Sequence, residues 1–182
     1  MSKVISSFAM SCLALASASG FAADFKVSSP DIVNGRIAQA QFAGAMGCTG
    51  GNVSPHIVWQ GAPEGTKSFV VTMYDPDAPT GSGWWHWAVA NVPGSATELV
   101  SGAGGDATKL PTGAIQINTD AGRPGYGGPC PPVGQTHRYV ITVTALKVDK
   151  LDLPPFATPA MMGFMTLATS LGKATLTAQG GR

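Results

Sequence analysis

Charge is the scarcest ingredient of this 182-residue chain, in which only 12% of positions are Asp, Glu, Lys or Arg. The 11 basic and 10 acidic residues leave a net charge of +1, and neither a basic run nor an acidic tail occurs. That excludes a nucleic-acid reader built on phosphate contacts, which needs clustered Lys and Arg. Internal repeats and low-complexity linkers are also missing, so a solenoid or a string of modules is excluded. Cysteine is limited to 3 residues, none in a C-x-x-C pair, which removes support for a thioredoxin-like redox role. At 44% hydrophobic the chain is too apolar to be disordered, and its length bounds it to one compact domain.

Glycine and proline are plentiful, at 24 and 14 residues, and both exceed ordinary usage of roughly 7% and 5%. Residues of this kind interrupt a chain with turns and disfavour a bundle of long helices. Short runs with β-branched or aromatic residues lie between them: Ile57 to Trp59, Ser68 to Tyr74, His86 to Val92, Ile115 to Asn118 and Arg138 to Leu146. No regular helix separates successive runs, so the pattern is mostly β with antiparallel pairing, not a doubly wound parallel sheet. Pro93 to Gly113 is too Gly-rich to assign. One C-terminal helix is expected, with Thr158 as N-cap and Pro159 at the first helical position. Met161, Phe164 or Met165, Ala168 and Leu171 then recur at three- and four-residue spacing before Gly172. The Met residues could suggest a binding groove or a metal site, yet Met at this spacing ordinarily fills a core.

The N-terminal residues read as a targeting segment. Lys3 is followed by an uncharged apolar or small run from Val4 to Ala18, and Gly20, Phe21 and Ala22 offer the small residues of a cleavage site. A secretory signal cut after Ala22 is expected, leaving residues 23–182 as a single domain. A membrane anchor is the alternative, but the run is short for a span of about 20 apolar residues and is interrupted by Ser. Loss of Lys3 would leave 10 basic and 10 acidic residues. Cys48 and Cys130 would then be the two remaining cysteines, expected to pair in an oxidising compartment. A bridge across that separation is worth about 4 kcal/mol by chain entropy, whereas two buried thiols are the alternative.

The chemistry concentrates at strand ends. Asp75 follows the strand that reaches Tyr74, His86 opens the next, and His137 opens the strand through Leu146. If those strands are neighbours, one carboxylate and two imidazoles meet on one rim, with Tyr139 on the face of His137 because strand side chains alternate with period two. Imidazoles held by a carboxylate suit a phosphate or carboxylate ligand. Gly127 to Pro132 adds a rigid loop that a ligand could approach closely. Each element also has a plainer reading: a packed histidine, or an Asp that caps its own turn.

In order along the chain, Gly51-Asn52-Val53-Ser54-Pro55, Trp59, Ser68, Asp75-Pro76-Asp77-Ala78-Pro79, Trp85-His86-Trp87, Asn91, Tyr126 to Pro132 and Gly134 to Tyr139 form a specific set. This set resembles the phosphatidylethanolamine-binding protein family, also called Raf-kinase-inhibitor-like proteins. The resemblance implies a large antiparallel sheet, a smaller sheet and a few peripheral helices, with a shallow pocket for phosphate, phosphorylated head groups such as phosphoethanolamine, or acetate. It implies Asp75, His86 and His137 as the pocket's polar residues, Pro132 and Tyr139 as its wall, and Arg138 as a brace between loops. The export pattern and the Gly-Pro-Cys-Pro-Pro variant look like the bacterial branch, with a periplasmic location expected. Two departures stand out. Asn118 is followed by Gly122 at four residues where the family commonly has three, and the usual aromatic near the end of the C-terminal helix is absent at Gly172-Lys173-Ala174.

A non-catalytic binding or inhibitory protein follows, its protein partner a protease or a host protein, with no cofactor. The alternative is an enzyme: a hydrolase, or a metalloenzyme with Asp75, His86 and His137 as ligands and an open fourth position. Neither a G-x-S-x-G nor an H-E-x-x-H motif is present.

Overall fold

The computed structural model describes residues 24–182; the expected signal segment lies outside them. In chain order the strands are β1 (Lys26–Ser28), β2 (Ile32–Val33), β3 (Arg36–Ile37), β4 (Ile57–Gln60), β5 (Ser68–Asp75), β6 (Trp84–Pro93), β7 (Glu98–Leu99), β8 (Ile115–Gln116) and β9 (Thr136–Leu146). Helix α1 (Pro159–Met165) and strand β10 (Ser170–Gly181) complete the chain. Seven strands form a curled sheet in the order β2-β3-β10-β9-β5-β6-β8, and β1-β4-β7 form a smaller one. Every pairing is antiparallel except that of β3 with β10, which makes the large sheet mixed.

The central strands are apolar and buried along one face, and the other face is covered over part of its length. Alternation sends Phe69, Val71 and Met73 of β5, with Tyr139, Ile141 and Val143 of β9, against Ile57, Trp59 and Leu99 of the small sheet. The intervening Val70 of β5, with Ala88 and Ala90 of β6, meets Leu151, Ala157 and Met162 in a second cluster beneath α1. Each fully buried Val, Ile, Met or Phe contributes about 1.5–3 kcal/mol relative to exposure.

Two β-bulges in β6 correct its register. Phe69 pairs with Val92 and Val71 with Val89, so β6 carries one more residue than β5 in that interval. Asn91 takes up the excess at φ 56°, in the left-handed region that Asn tolerates better than most residues. Val92 thereby returns to the face of Val89. The Asn91 side chain accepts the Leu151 N–H at 2.8 Å and secures the loop over the second cluster. The other bulge separates Trp85, opposite Tyr74, from Trp87, opposite Met73, and its extra residue is His86.

The C-terminal helix is shorter than its spacing predicts. Thr158 caps it through Met161 N–H and Pro159 occupies the first turn as expected, but the helix ends at Met165. Ser170–Gly181 is a strand paired along β9, not a helical end. Met162 is fully buried, Pro159 is buried and Met161 is half-buried against the same cluster, whereas Phe164 and Leu167 are 74% and 70% exposed, so the helix packs through its first turn rather than a long stripe. The unassigned stretch holds β7 and a 3-10 turn at Ala107–Lys109.

Cys48 and Cys130 form the expected disulfide, with a Cα separation of 5.8 Å. Among the described residues, no helix is long and apolar enough to cross a membrane.

Candidate functional site

Asp75 closes β5, and its two oxygens have separate duties. Oδ1 accepts the backbone N–H groups of Asp77 at 2.8 Å and Ala78 at 3.0 Å, forming the turn that Asp-Pro-Asp favours. Oδ2 faces the imidazoles, 2.7 Å from His137 Nδ1 and 4.0 Å from His86 Nε2. The turn-capping reading of this residue therefore holds, and the same side chain faces both imidazoles.

All three groups are buried, with Asp75 3%, His86 6% and His137 4% exposed. Burial works to raise the Asp75 carboxyl, but the two imidazoles and the Asp77 N–H outweigh it, and the group sits below its ordinary range. The 4.0 Å separation from His86 Nε2 is too long for a hydrogen bond.

The bulge places His86 on the face of Trp87, where its ring meets Tyr139 edge-on at 5.4 Å between centroids. His86 Nδ1 donates to the Gly127 carbonyl at 2.6 Å, and Gly127 N–H returns a bond to the His86 carbonyl at 2.9 Å. A carbonyl can only accept, so Nδ1 carries hydrogen. Nε2 is buried with no hydrogen-bond partner. His137 differs, since its Nε2 lies 3.0 Å from Gln135 Oε1 and both ring nitrogens are engaged.

These side chains line a cavity of about 960 Å³. Its walls come from three loops: Ala43 to Met46, Asp120 to Arg123, and Gly127 to Pro132. Pro79 and Trp84 complete it. Asn52 holds the last of these loops, accepting Gly128 N–H at 2.7 Å and donating to the Tyr126 carbonyl at 3.3 Å. Gly128 is required there, because a Cβ would sit 2.4 Å from the Gln41 carbonyl oxygen and 2.5 Å from the Ala43 nitrogen.

Pro132 lines the cavity. Tyr139 does not: it is fully buried behind His86 in the core, and its hydroxyl has no partner. Period two placed it correctly on the face of His137, but at its depth that face is core. Arg138 points outward and braces Asp77, as expected.

The longer loop after Asn118 folds into a turn, with Gly122 N–H donating to Thr119 O and Thr119 N–H to Arg123 O. Asp120 anchors it on β6 by accepting Trp85 N–H at 2.8 Å. Gly172 pairs with Ala145, whereas Gly180 pairs with His137, so the missing aromatic lies at the end of β10 remote from the cavity. Sequence reading missed the Ala43 to Met46 and Asp120 to Arg123 walls, which carry no local motif.

Among the described residues, no group of three or more His, Cys, Asp and Glu side chains is arranged to hold a metal. Asp75 and His137 direct their facing atoms at each other, 2.7 Å apart, rather than at a shared point.

The phosphatidylethanolamine-binding protein family model matches residues 28–180. The UPF0098 protein YbcL of Escherichia coli (strain K12) is 48% identical over 168 residues, covering 91% of this chain and 92% of its own. YbhB from the same organism is 47% identical over 154 residues, covering 84% and 98%. The crystal structure of E. coli YbcL, described as a new member of the mammalian PEBP family, superposes with a TM-score of 0.83 at 46% identity, covering 88% of this chain and 99% of that one. Sequence, two-sheet architecture and the order of the motifs around the cavity agree: this chain belongs to the phosphatidylethanolamine-binding protein family.

Proposed function

We propose that the protein is a periplasmic binding protein whose cavity takes a small anion, a phosphate or phosphorylated head group, at Asp75, His86 and His137, and that it modulates a protein partner through the cavity mouth. The observation that carries this reading is His86 Nε2, a buried nitrogen beside the cavity without a protein partner. An unsatisfied buried polar atom is costly, and a ligand atom removes that cost.

Because Nδ1 already donates to Gly127, Nε2 offers a lone pair when the ring is neutral and an N–H when it is an imidazolium. An anion is held by the second form, in which Nε2 donates.

Location in the periplasm is supported by the apolar N-terminal run and by a disulfide, which persists in an oxidising compartment. Purified exported protein should begin at Ala23. Met46 and Val133, 78% and 79% exposed at or beside the mouth, support a contact with a protease or a host protein.

The test is NMR of the imidazole nitrogens during titration with phosphate and with phosphoethanolamine. Saturable shifts at His86 that disappear in His86→Ala are expected. Absence of any shift at millimolar ligand overturns the reading.

A further inference from the structure

Cys130 lines the cavity, and the bridge joins it to the adjacent turn, whose residues Ala45 and Met46 also line it. That turn runs from Ala45 to Cys48 and closes with Cys48 N–H donating to the Ala45 carbonyl at 3.0 Å. Both central residues have positive φ, Met46 at 56° and Gly47 at 81°. Glycine adopts this conformation freely, but methionine is disfavoured there. Met46 is 78% exposed, so little packing compensates. The turn is thus in a conformation its sequence resists, and the bridge at its last residue ties it down.

We propose that the Cys48–Cys130 disulfide is a reducible clasp on the cavity wall, opened by a dithiol reductant and releasing the Ala45–Cys48 turn. The two sulfurs are not equivalent. Cys130 is half-buried at the cavity, whereas Cys48 is 8% exposed. Arg182 Nη1 lies 3.3 Å from Cys48 Sγ and 2.6 Å from the Gly47 carbonyl oxygen. A thiolate of the dithiol attacks Cys130 Sγ, the sulfur–sulfur bond breaks, and Cys48 leaves as a thiolate beside the guanidinium. The second thiol resolves the mixed disulfide and frees Cys130. Two electrons pass to the bridge, the dithiol becomes a disulfide, and its two protons balance those taken up by the two cysteines.

After reduction, the base of the turn keeps the Ala43 N–H bond to the Pro129 carbonyl at 2.9 Å, so the change is local. Gly44, Ala45 and Met46 leave the wall, and anion affinity falls. Only this last consequence rests on the ligand reading above.

Hydrogen exchange of the oxidised protein, the dithiothreitol-reduced protein and the Cys48→Ser/Cys130→Ser variant tests the clasp, with inorganic phosphate as the binding probe. The expected result is loss of amide protection at Cys48 and Gly50, unchanged protection in β5 and β9, and at least a fivefold weaker phosphate affinity. Brief exposure to glutathione should place the mixed disulfide on Cys130. Unchanged protection at Cys48, protection lost throughout β5 and β9, unchanged phosphate affinity, or an adduct on Cys48 would each overturn the proposal. If oxidised protein does not respond to phosphate, the ligand reading fails, while the exchange pattern and the adduct still decide the clasp.

Discussion

Arg138 and Asp77 form a two-point ion pair with a backbone third point: Nη2 to Oδ1 at 2.6 Å, Nε to Oδ2 at 2.9 Å, and Arg138 N–H to Oδ2 at 2.8 Å. This contact ties the turn after β5 to the start of β9, on either side of the Asp75–His137 bond. Hydrogen bonds from Arg138 lower the Asp77 carboxyl to about 2. A depressed carboxylate stabilises the fold above its ordinary value and loses that contribution as pH falls through the folded value. Between pH 4 and 2 the wild type should therefore lose stability that Asp77→Asn lacks at the outset, measured by urea unfolding across that range.

Asp75→Asn takes the carboxylate from beside the two buried imidazoles. A destabilisation of about 1–3 kcal/mol is expected near neutral pH, as for loss of a buried hydrogen bond to a charged group. The deficit should shrink as acid protonates the wild-type carboxyl, because that group is also held below its ordinary range. Denaturant midpoints at neutral and acid pH check both the size and the sign.

Gly128→Ala tests how closely the cavity loop is packed. Both nearest atoms to the new methyl are backbone, which cannot swing aside. Thermal unfolding should report a loss of about 1–3 kcal/mol, and the His86 response to phosphate should weaken as Gly127 shifts.

Met162→Ala and Phe164→Ala distinguish the two faces of α1. Removing the fully buried Met162 should cost about 2–5 kcal/mol. Truncating the exposed Phe164 should change stability by less than about 0.5 kcal/mol. Equal effects in chemical denaturation would mean that the helix packs on the other side.

Tyr139→Phe removes a hydroxyl that is buried without a partner. Stability should be unchanged or slightly raised, since the desolvation cost of that group disappears. The phosphate response of His86 should persist, because Tyr139 packs behind the ring rather than lining the cavity.

The strands β5, β6 and β9 were legible because β-branched and aromatic residues crowd between turn formers. Strand β10 was not. Its Gly172, Gly180 and Gly181, its threonines and Lys173 do not present a hydrophobic alternation. Small size is what the position needs, since a Cβ on Gly180 would sit 2.9 Å from the Tyr139 ring and 3.0 Å from Phe42. Leu171 satisfied a helical period by coincidence of spacing, and chain pairing with β9 overrode it. Asp75, His86 and His137 could be found because polar residues at strand ends stand out against apolar runs. The bulge at His86 and the depth of Tyr139 depend on pairing between distant segments, which no local pattern reports.

The reciprocal bonds between His86 and Gly127 leave the orientation of the imidazole in the keeping of the main chain. Neighbouring wall side chains at Ala43, Met46, Ala121 and Pro132 can therefore be exchanged without releasing the ring. Selectivity can drift across descendants, or be redesigned at the bench, while the proton-bearing nitrogen stays where the backbone put it.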